Sequence, residues 1–140
     1  MSHTVLLVDD EEKIRFGLAR VMREQPFEIL TARTASDAMS FLQRYAIDLV
    51  VSDERMPGMS GIELLIWIAK NRPNVIRIML TGQATLESAL RAINEAQVHR
   101  YLLKPCNPVE LALMIRRSLE ERDMRIGDLS KVCRQNTLPC

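Results

Sequence analysis

Carboxylate, hydroxyl and ammonium side chains stand at the ends of four apolar segments in this sequence. Asp9 and Asp10 follow the first segment, Asp53 and Thr81 close two others, and Lys104 follows the last. Three carboxylates held together raise one another's pKa unless a cation lies among them. A small hard ion such as Mg²⁺ suits such a set, because it keeps open positions for water and phosphate oxygens. If the chain brings these residues together, they suit a magnesium site that faces a phosphate group.

An aspartate in such a site can also be a nucleophile, because a carboxylate can form an acyl phosphate. Phosphoryl transfer needs mainly positioning and cations on the phosphoryl oxygens. Asp53 is the candidate nucleophile, since Lys104 could supply a cation and the Thr81 hydroxyl a hydrogen bond. Taken singly, each residue is more often structural: an Asp at a strand end starts turns, and Asp10 could cap the first helix. Their function therefore depends on where the fold places them.

Five apolar segments of strand length recur along the chain. They are "TVLLV" at 4–8, "FEILTA" at 27–32, "DLVVS" at 48–52, "VIRIML" at 75–80 and "VHRYLL" at 98–103. Several are rich in Val, Ile and Leu without strict alternation, which is typical of parallel strands covered on both faces. Their alternation with helical segments predicts βαβ units and a doubly wound α/β fold.

The segments between the strands have helical periodicity. One apolar stripe consists of Ile14, Leu18, Val21 and Met22, and a later one of Leu86, Ala89, Leu90 and Ile93. Helix starts are indicated by Ser60 with Glu63, by Thr34 with Asp37, and by Asn107 and Pro108 with Glu110. The segment "IELLIWIAK" is apolar almost all round, so periodicity does not select its buried face.

Parallel strands place their carboxyl ends at one edge of the sheet, where open α/β folds bind ligands. If the strand order is 2-1-3-4-5, the first and third strands are neighbours and the chain reverses direction between them. Asp9, Asp10 and Asp53 then meet at this switch point, with Thr81 and Lys104 on the strands beyond. The coincidence of five such residues at one edge favours a functional site over five separate turn or cap residues.

Four segments in this order resemble the receiver domain of bacterial two-component response regulators: "VLLVDDEE", "LVVSDERMPGMSG", "IRIMLTG" and "YLLKPCNPVEL". The resemblance covers about residues 4–119. It implies a flavodoxin-like five-stranded parallel sheet with five helices. We therefore predict a receiver domain over residues 1–120 and a helical extension, linker or tail over residues 121–140.

The resemblance also implies a phosphoacceptor and a metal site. Asp53 matches the phosphoacceptor and a metal ligand, Asp10 a direct metal ligand, and Asp9 a ligand that acts through water. The backbone carbonyl of Arg55 matches the third protein ligand of Mg²⁺, for which Mn²⁺ could substitute. The Lys104–Pro105 bond resembles the family's usual cis peptide.

Further roles follow from the same resemblance. Lys104 matches the phosphate-binding lysine, Thr81 the switch hydroxyl, and Tyr101 the aromatic side chain that turns inward with that hydroxyl. Many receivers have Asn where this chain has Arg55, and Ala after the switch residue where this chain has Gly82. The side chains of Arg55 and Gln83 would flank the phosphoryl group and tune its hydrolysis.

The implied function is a phosphorelay switch, not an enzyme beyond self-catalysed phosphoryl transfer and autodephosphorylation. A sensor histidine kinase or phosphotransfer protein would donate the phosphoryl group, and the change of shape would control an output domain or partner. We expect a homodimer through the face formed by the fourth helix, fifth strand and fifth helix, or through the C-terminal helix. We also expect the chain to be a fragment without its effector domain, the alternative being a stand-alone receiver.

Three other functions are alternatives. A Mg²⁺-dependent phosphatase with an aspartyl nucleophile usually has a second carboxylate where this chain has Arg55, and a cap that 140 residues leave no room for. A flavodoxin-like FMN carrier needs a Ser/Thr/Gly-rich loop where this chain has "DDEEK". A receiver-like interaction module that is never phosphorylated is disfavoured by the complete set of site residues.

The composition of the chain limits which partners and cofactors are expected. The 19 Lys and Arg against 18 Asp and Glu give a net charge of +1, which disfavours direct nucleic-acid binding. Cys106, Cys133 and Cys140 have no CxxC or CxxH spacing, so neither a disulfide framework nor a zinc site is indicated. No apolar run approaches the roughly 20 residues of a membrane helix. We therefore expect a cytoplasmic protein that does not enter a membrane.

Beyond residue 118 the pattern changes. Leu119, Arg122, Ile126, Leu129 and Cys133 recur at spacings of three and four residues. This pattern indicates a short amphipathic stalk that pairs with a copy of itself, although Arg122 and Gly127 weaken the interpretation. A frayed tail is the alternative.

Overall fold

Strands and helices alternate through residues 3–135, which the computed structural model describes, with side-chain surroundings for residues 3–127. The elements are β1 (His3–Val8), α1 (Glu12–Met22), β2 (Phe27–Ala32), α2 (Ala35–Arg44), β3 (Leu49–Asp53), α3 (Gly61–Asn71), β4 (Ile76–Thr81), α4 (Leu86–Asn94), β5 (Arg100–Leu103) and α5 (Pro108–Gln135). The strands form one parallel sheet in the order β2-β1-β3-β4-β5. This confirms the predicted doubly wound fold.

The sheet is covered by helices on both faces. Every residue of β3 and β4 is buried, as are the last four residues of β1. One core cluster joins the sheet to α1 and α5 and includes Leu18, Met22, Leu111 and Ile115; the other joins it to α2, α3 and α4 and includes Leu42, Leu64, Leu65, Ile68 and Ala92. Burial on both sides explains why the strand sequences are continuously apolar.

The predicted helix starts are confirmed by side-chain capping bonds. Ser60 Oγ accepts from the Glu63 amide at 3.2 Å, Thr34 Oγ1 from the Asp37 amide at 3.1 Å, and Asn107 Oδ1 from the amides of Val109 and Glu110 at 2.9 and 3.3 Å. At α1 the capping position is Glu11, whose side chain makes no capping bond. The alternative in which Asp10 caps this helix is therefore wrong.

Strand β5 begins two residues later than predicted, because Val98 still belongs to the turn that closes α4 and His99 to the bend that leads into the strand. Gln97 has a left-handed backbone with φ of 50°. The Val98 amide donates to Ala92 O at 3.1 Å, so the chain is still folding back on the helix at this point. The other strand bounds differ by at most one residue from the predicted ones.

Helix α4 turns its predicted apolar stripe toward the surface. Leu86, Leu90 and Ile93 are 76%, 49% and 56% exposed, whereas the small side chain of Ala92 is fully buried. The periodicity correctly predicts a helix, but the contact with the core is made by alanine. The result is an apolar surface beside the edge strand β5.

Helix α5 continues past the core, and Arg122 attaches it to the amino-terminal edge of the sheet, where the strands begin. Its guanidinium donates to Asp48 Oδ1 at 2.7 Å and to the backbone oxygens of Asp48 and Asn74 at 3.2 Å. The other Asp48 oxygen accepts from the Thr4 amide at 2.8 Å. Arg122 therefore fixes the angle between α5 and the sheet.

The predicted stalk residues do not form one apolar stripe in the described part of α5. Leu119 is buried in the core, Arg122 faces the sheet, and Ile126 is exposed. The side chains of Leu129 and Cys133 lie outside the described residues. The helix crosses residue 120 without a break, and the domain boundary there stays a prediction.

Across residues 3–135, no helix combines the length and the apolar character that crossing a membrane requires.

Gly61 sets the contact between the start of α3 and the end of β3. A Cβ atom at this position would lie 1.9 Å from the Asp53 carbonyl oxygen. The Gly61 amide donates to Glu54 O at 2.9 Å, which holds the two segments in this close approach. The absence of a side chain at Gly61 therefore permits this close approach to the backbone of Asp53.

We predict that Gly61→Ala lowers the free energy of unfolding by about 1–3 kcal/mol, because the backbone must shift to admit the methyl group. Gly17→Ala is the matched control. A Cβ at Gly17 meets no atom within 4 Å, and replacing a helical glycine by alanine should stabilise by about 1 kcal/mol. Urea denaturation of both variants measures the difference, and equal effects would contradict the close approach.

Candidate functional site

Three carboxylates meet where β1 and β3 end side by side. Val8 pairs with Ser52 in the sheet, so Asp9 and Asp53 leave neighbouring strands at the same level. Oxygen atoms of Asp9, Asp10 and Asp53 lie within 4.8 Å of one another. Asp9 and Asp53 are buried and Asp10 is half-buried. The structure thus brings together the three acidic residues that the sequence places at the switch point.

Lys104 lies between two of these carboxylates. Its Nζ is 2.9 Å from Asp9 Oδ2 and 3.1 Å from Asp53 Oδ1. The Lys104 amide also donates to Thr81 O at 2.7 Å, which attaches the β5–α5 loop to β4. The peptide bond from Lys104 to Pro105 is cis, as predicted.

Burial is the main cause that raises the pKa of Asp53 above its ordinary value. The hydrogen bond from Lys104 lowers that pKa, while the charges of Asp9 and Asp10 raise it. For Lys104, burial lowers the pKa, but the bonds to Asp9 and Asp53 outweigh it and the pKa is raised. A single ammonium therefore offsets only part of the negative charge of the site.

Thr81 and Tyr101 are joined through two residues that are not among the predicted site residues. The Thr81 hydroxyl donates to one oxygen of Glu54, and the Ser88 hydroxyl donates to the other. Tyr101 Oη lies 3.1 Å from Ser88 Oγ. Glu54 could have been suspected, since it directly follows Asp53. The sequence carries no comparable signal for Ser88, which lies on α4.

Arg55 and Gln83 lie together at the rim of the site. Arg55 Nη2 is 3.5 Å from Gln83 Oε1, and both side chains are exposed. The cavity here has a volume of about 370 Å³ and is lined by Asp10, Glu11, Asp53, Glu54, Arg55, Gly82, Gln83 and Lys104. Both carboxylates and cationic side chains line it, which suits a small anion that arrives with a metal ion.

A family model described as the response regulator receiver domain matches residues 5–116. The chain belongs to this family. Its fold is thus that of a receiver domain, and a phosphoacceptor signalling role is supported.

Relatives and solved structures agree with this assignment. The hydrogenase transcriptional regulatory protein HoxA of Cupriavidus necator is 33% identical over 92% of this chain, and the match covers 26% of HoxA. The signal receiver domain of an HD domain-containing protein from Pseudomonas fluorescens matches with a TM-score of 0.85 and 36% identity, over 89% of this chain and 99% of that one. A CheY-like receiver domain protein from Methanospirillum hungatei has a TM-score of 0.85 and 30% identity over the same shares. The receiver chain spans about a quarter of the length of its HoxA relative.

We predict that Asp53→Asn stabilises the receiver at neutral pH in a buffer with EDTA. The raised pKa means that the folded state binds a proton on Asp53 more tightly than the unfolded state does. This contribution to stability is complete below the unfolded pKa and is lost as the pH rises through the folded pKa. At pH 7 the buried charge is therefore a cost, and the neutral amide removes it.

The melting temperature of Asp53→Asn should exceed that of the wild type by a few degrees at pH 7, and the difference should shrink as the pH approaches 4. Asp37→Asn, which removes an exposed charge, is the control and should give no gain. A lower melting temperature for Asp53→Asn at pH 7 would contradict the electrostatic argument.

Proposed function

We propose that Asp53 accepts a phosphoryl group from a sensor histidine kinase or a phosphotransfer protein, and that the phosphoryl group shifts a two-state equilibrium in the receiver. The observation that supports this most is the position of Lys104, whose ammonium lies 3.1 Å from Asp53 Oδ1. A phosphoryl group on that carboxylate would lie within reach of the same ammonium.

In the transfer, an Asp53 oxygen attacks phosphorus and the bond from phosphorus to the donor imidazole nitrogen breaks. The electron pair stays on the imidazole. Lys104 would bind one phosphoryl oxygen, and Thr81 would donate a hydrogen bond to another after leaving Glu54. Hydrolysis by water would return the carboxylate and release phosphate, and Arg55 and Gln83 would control the approach of that water from the rim.

The carboxylates fit a divalent cation. Asp10, Asp53 and the backbone carbonyl of Arg55 would hold Mg²⁺ or Mn²⁺ directly, and Asp9 would act through water. Burial and the charges of its neighbours raise the pKa of Asp53, so a hard cation with oxygen ligands would relieve a repulsion that is already present. When bound, the ion would neutralise charge on the phosphoryl oxygens.

We place this exchange in the cytoplasm, in a longer protein whose remaining part the receiver controls. One support is that the chain covers only 26% of HoxA, which is named a transcriptional regulatory protein. A second is the spacing of the three cysteines, which indicates no disulfide framework and is consistent with a reducing compartment. The receiver would act on its effector region through a change in shape or in association.

We further propose that copies of the receiver associate through the apolar surface of α4, β5 and α5. Its exposed apolar side chains are Leu86, Leu90, Ile93, Leu103, Val109 and Leu113. Large exposed apolar patches often mark sites where another protein binds. Tyr101, on β5 within this surface, would link association to the phosphorylation state.

Phosphorylation is tested by incubating the receiver with Mg²⁺ and acetyl phosphate and measuring the intact mass. We expect a gain of one phosphoryl group in the wild type and no gain in Asp53→Asn. Asp37→Asn, an exposed aspartate, is the control and should still be phosphorylated. No adduct in the wild type would leave the alternative of a receiver that is not phosphorylated, and turnover of varied phosphoesters would indicate a phosphatase.

A Lys104 variant separates metal binding, measured by Mg²⁺ titration, from switching, measured by amide hydrogen exchange. Lys104→Ala removes the cation that contacts Asp9 and Asp53, but none of the proposed metal ligands. We expect it to bind Mg²⁺ while losing the phosphorylation-linked change in hydrogen exchange. Unchanged switching in this variant would refute the role given to Lys104.

Association is tested by analytical ultracentrifugation with acetyl phosphate and Mg²⁺. We expect Leu90→Glu to weaken dimer formation at least about tenfold, because a charge would enter an apolar contact. Ile126→Glu on α5 tests the alternative interface at the C-terminal helix. Loss of the dimer in Ile126→Glu alone would favour that second interface.

A further inference from the structure

Glu54 links the phosphoacceptor strand to the switch hydroxyl and to α4. It directly follows Asp53, and its backbone is held on both sides. The Glu54 amide donates to Leu80 O at 2.9 Å, and Glu54 O accepts from the Gly61 amide at 2.9 Å. Its half-buried carboxylate accepts hydrogen bonds from the hydroxyls of Thr81 and Ser88, one on each oxygen. One anchored carboxylate thus binds β4 through Thr81 and α4 through Ser88.

The direction of each hydrogen bond follows from the number of protons. An ionised carboxylate only accepts, and a hydroxyl has a single proton to donate. Thr81 and Ser88 must therefore both donate to Glu54. Because the Ser88 proton is used, Tyr101 must be the donor in its 3.1 Å contact with Ser88 Oγ. Thr81 cannot donate to a phosphoryl oxygen without first leaving Glu54.

We propose that Glu54 is a positioning residue that holds the receiver in its unphosphorylated state by binding the hydroxyls of Thr81 and Ser88. A phosphoryl group on Asp53 would compete with the Glu54 carboxylate for the Thr81 proton. It would also repel that carboxylate, since a side-chain phosphoryl group carries about 1.5 to 2 negative charges. Departure of Thr81 and displacement of Glu54 would together release Ser88 and, with it, Tyr101.

The release acts on one end of α4. Ser88 lies in the first turn of the helix, where Glu54 binds it. The other end is attached by Arg77, whose guanidinium donates to Ala96 O at 3.0 Å and to Gln97 O at 3.1 Å. These bonds do not involve the phosphorylation site. Loss of the Glu54 contact should therefore loosen the first turns of α4 and leave its last turn in place.

The first experiment uses neither Mg²⁺ nor phosphodonor, so that it reports on Glu54 alone. Amide hydrogen exchange along α4 is measured by NMR in the wild type, Glu54→Gln and Glu54→Ala. We expect exchange in the first two turns of α4 to be about tenfold faster in Glu54→Ala, with Glu54→Gln between it and the wild type, because each hydrogen bond to a charged group is lost or weakened. The amides near Ala96 should be unchanged.

Glu87→Gln is the matched control, since it removes the charge of an exposed glutamate from the same turn of α4. It should leave exchange close to that of the wild type. Ser88→Ala should reproduce part of the Glu54→Ala effect, and the double variant should add little to Glu54→Ala, because both changes remove the same contact. Equal effects of Glu87→Gln and Glu54→Gln, or full additivity of Glu54→Ala and Ser88→Ala, would overturn the proposal.

The second experiment adds Mg²⁺ and acetyl phosphate, and this part rests on the proposed function. Phosphorylation should speed exchange in the first turns of α4 of the wild type and change it little in Glu54→Ala, where the contact is already absent. A phosphorylation-linked change of full size in Glu54→Ala would overturn the competition. If the wild type takes up no phosphoryl group, the proposed function fails, while the first experiment still decides whether Glu54 holds α4.

Discussion

Repulsion among the carboxylates at the carboxyl edge of the sheet is the constraint on which the site depends. Asp9 and Asp53 are buried at the ends of neighbouring strands, and Lys104 is the cation that bridges them. The strands that carry them are packed on both faces, so the acids cannot move apart without disturbing the core. The interior thereby maintains a local excess of negative charge that favours the arrival of a cation.

The convergence of these acids could be predicted from the sequence because it depends only on topology. Parallel strands share a carboxyl edge, and a reversal between β1 and β3 leaves a crevice at that edge. No side-chain conformation enters this argument. The capping residues Ser60, Thr34 and Asn107 could also be predicted from the sequence, since a cap is a local contact between residues two or three positions apart.

Contacts between distant residues with several possible partners could not be predicted in this way. Ser88 reaches Glu54 across 34 positions of sequence, and its hydroxyl could equally have bonded to its own helix. The stripe of Leu86, Leu90 and Ile93 gives the spacing of a helix but not the direction in which it faces. In α4 the buried position is occupied by Ala92, and the larger side chains of the stripe lie outside the core.

The contact of Arg122 with the amino-terminal edge of the sheet has a mechanical consequence. Helix α5 has 28 residues, which at about 1.5 Å per residue makes it about 42 Å long. Arg122 holds it near its middle, so roughly 20 Å of helix extends beyond the attachment point. A tilt of about 5° at this fulcrum would displace the last described turn by roughly 2 Å. A small rearrangement around Asp48 would thus cause a larger movement of the C-terminal end of α5. This end lies beyond the residues that bond to the phosphorylation site.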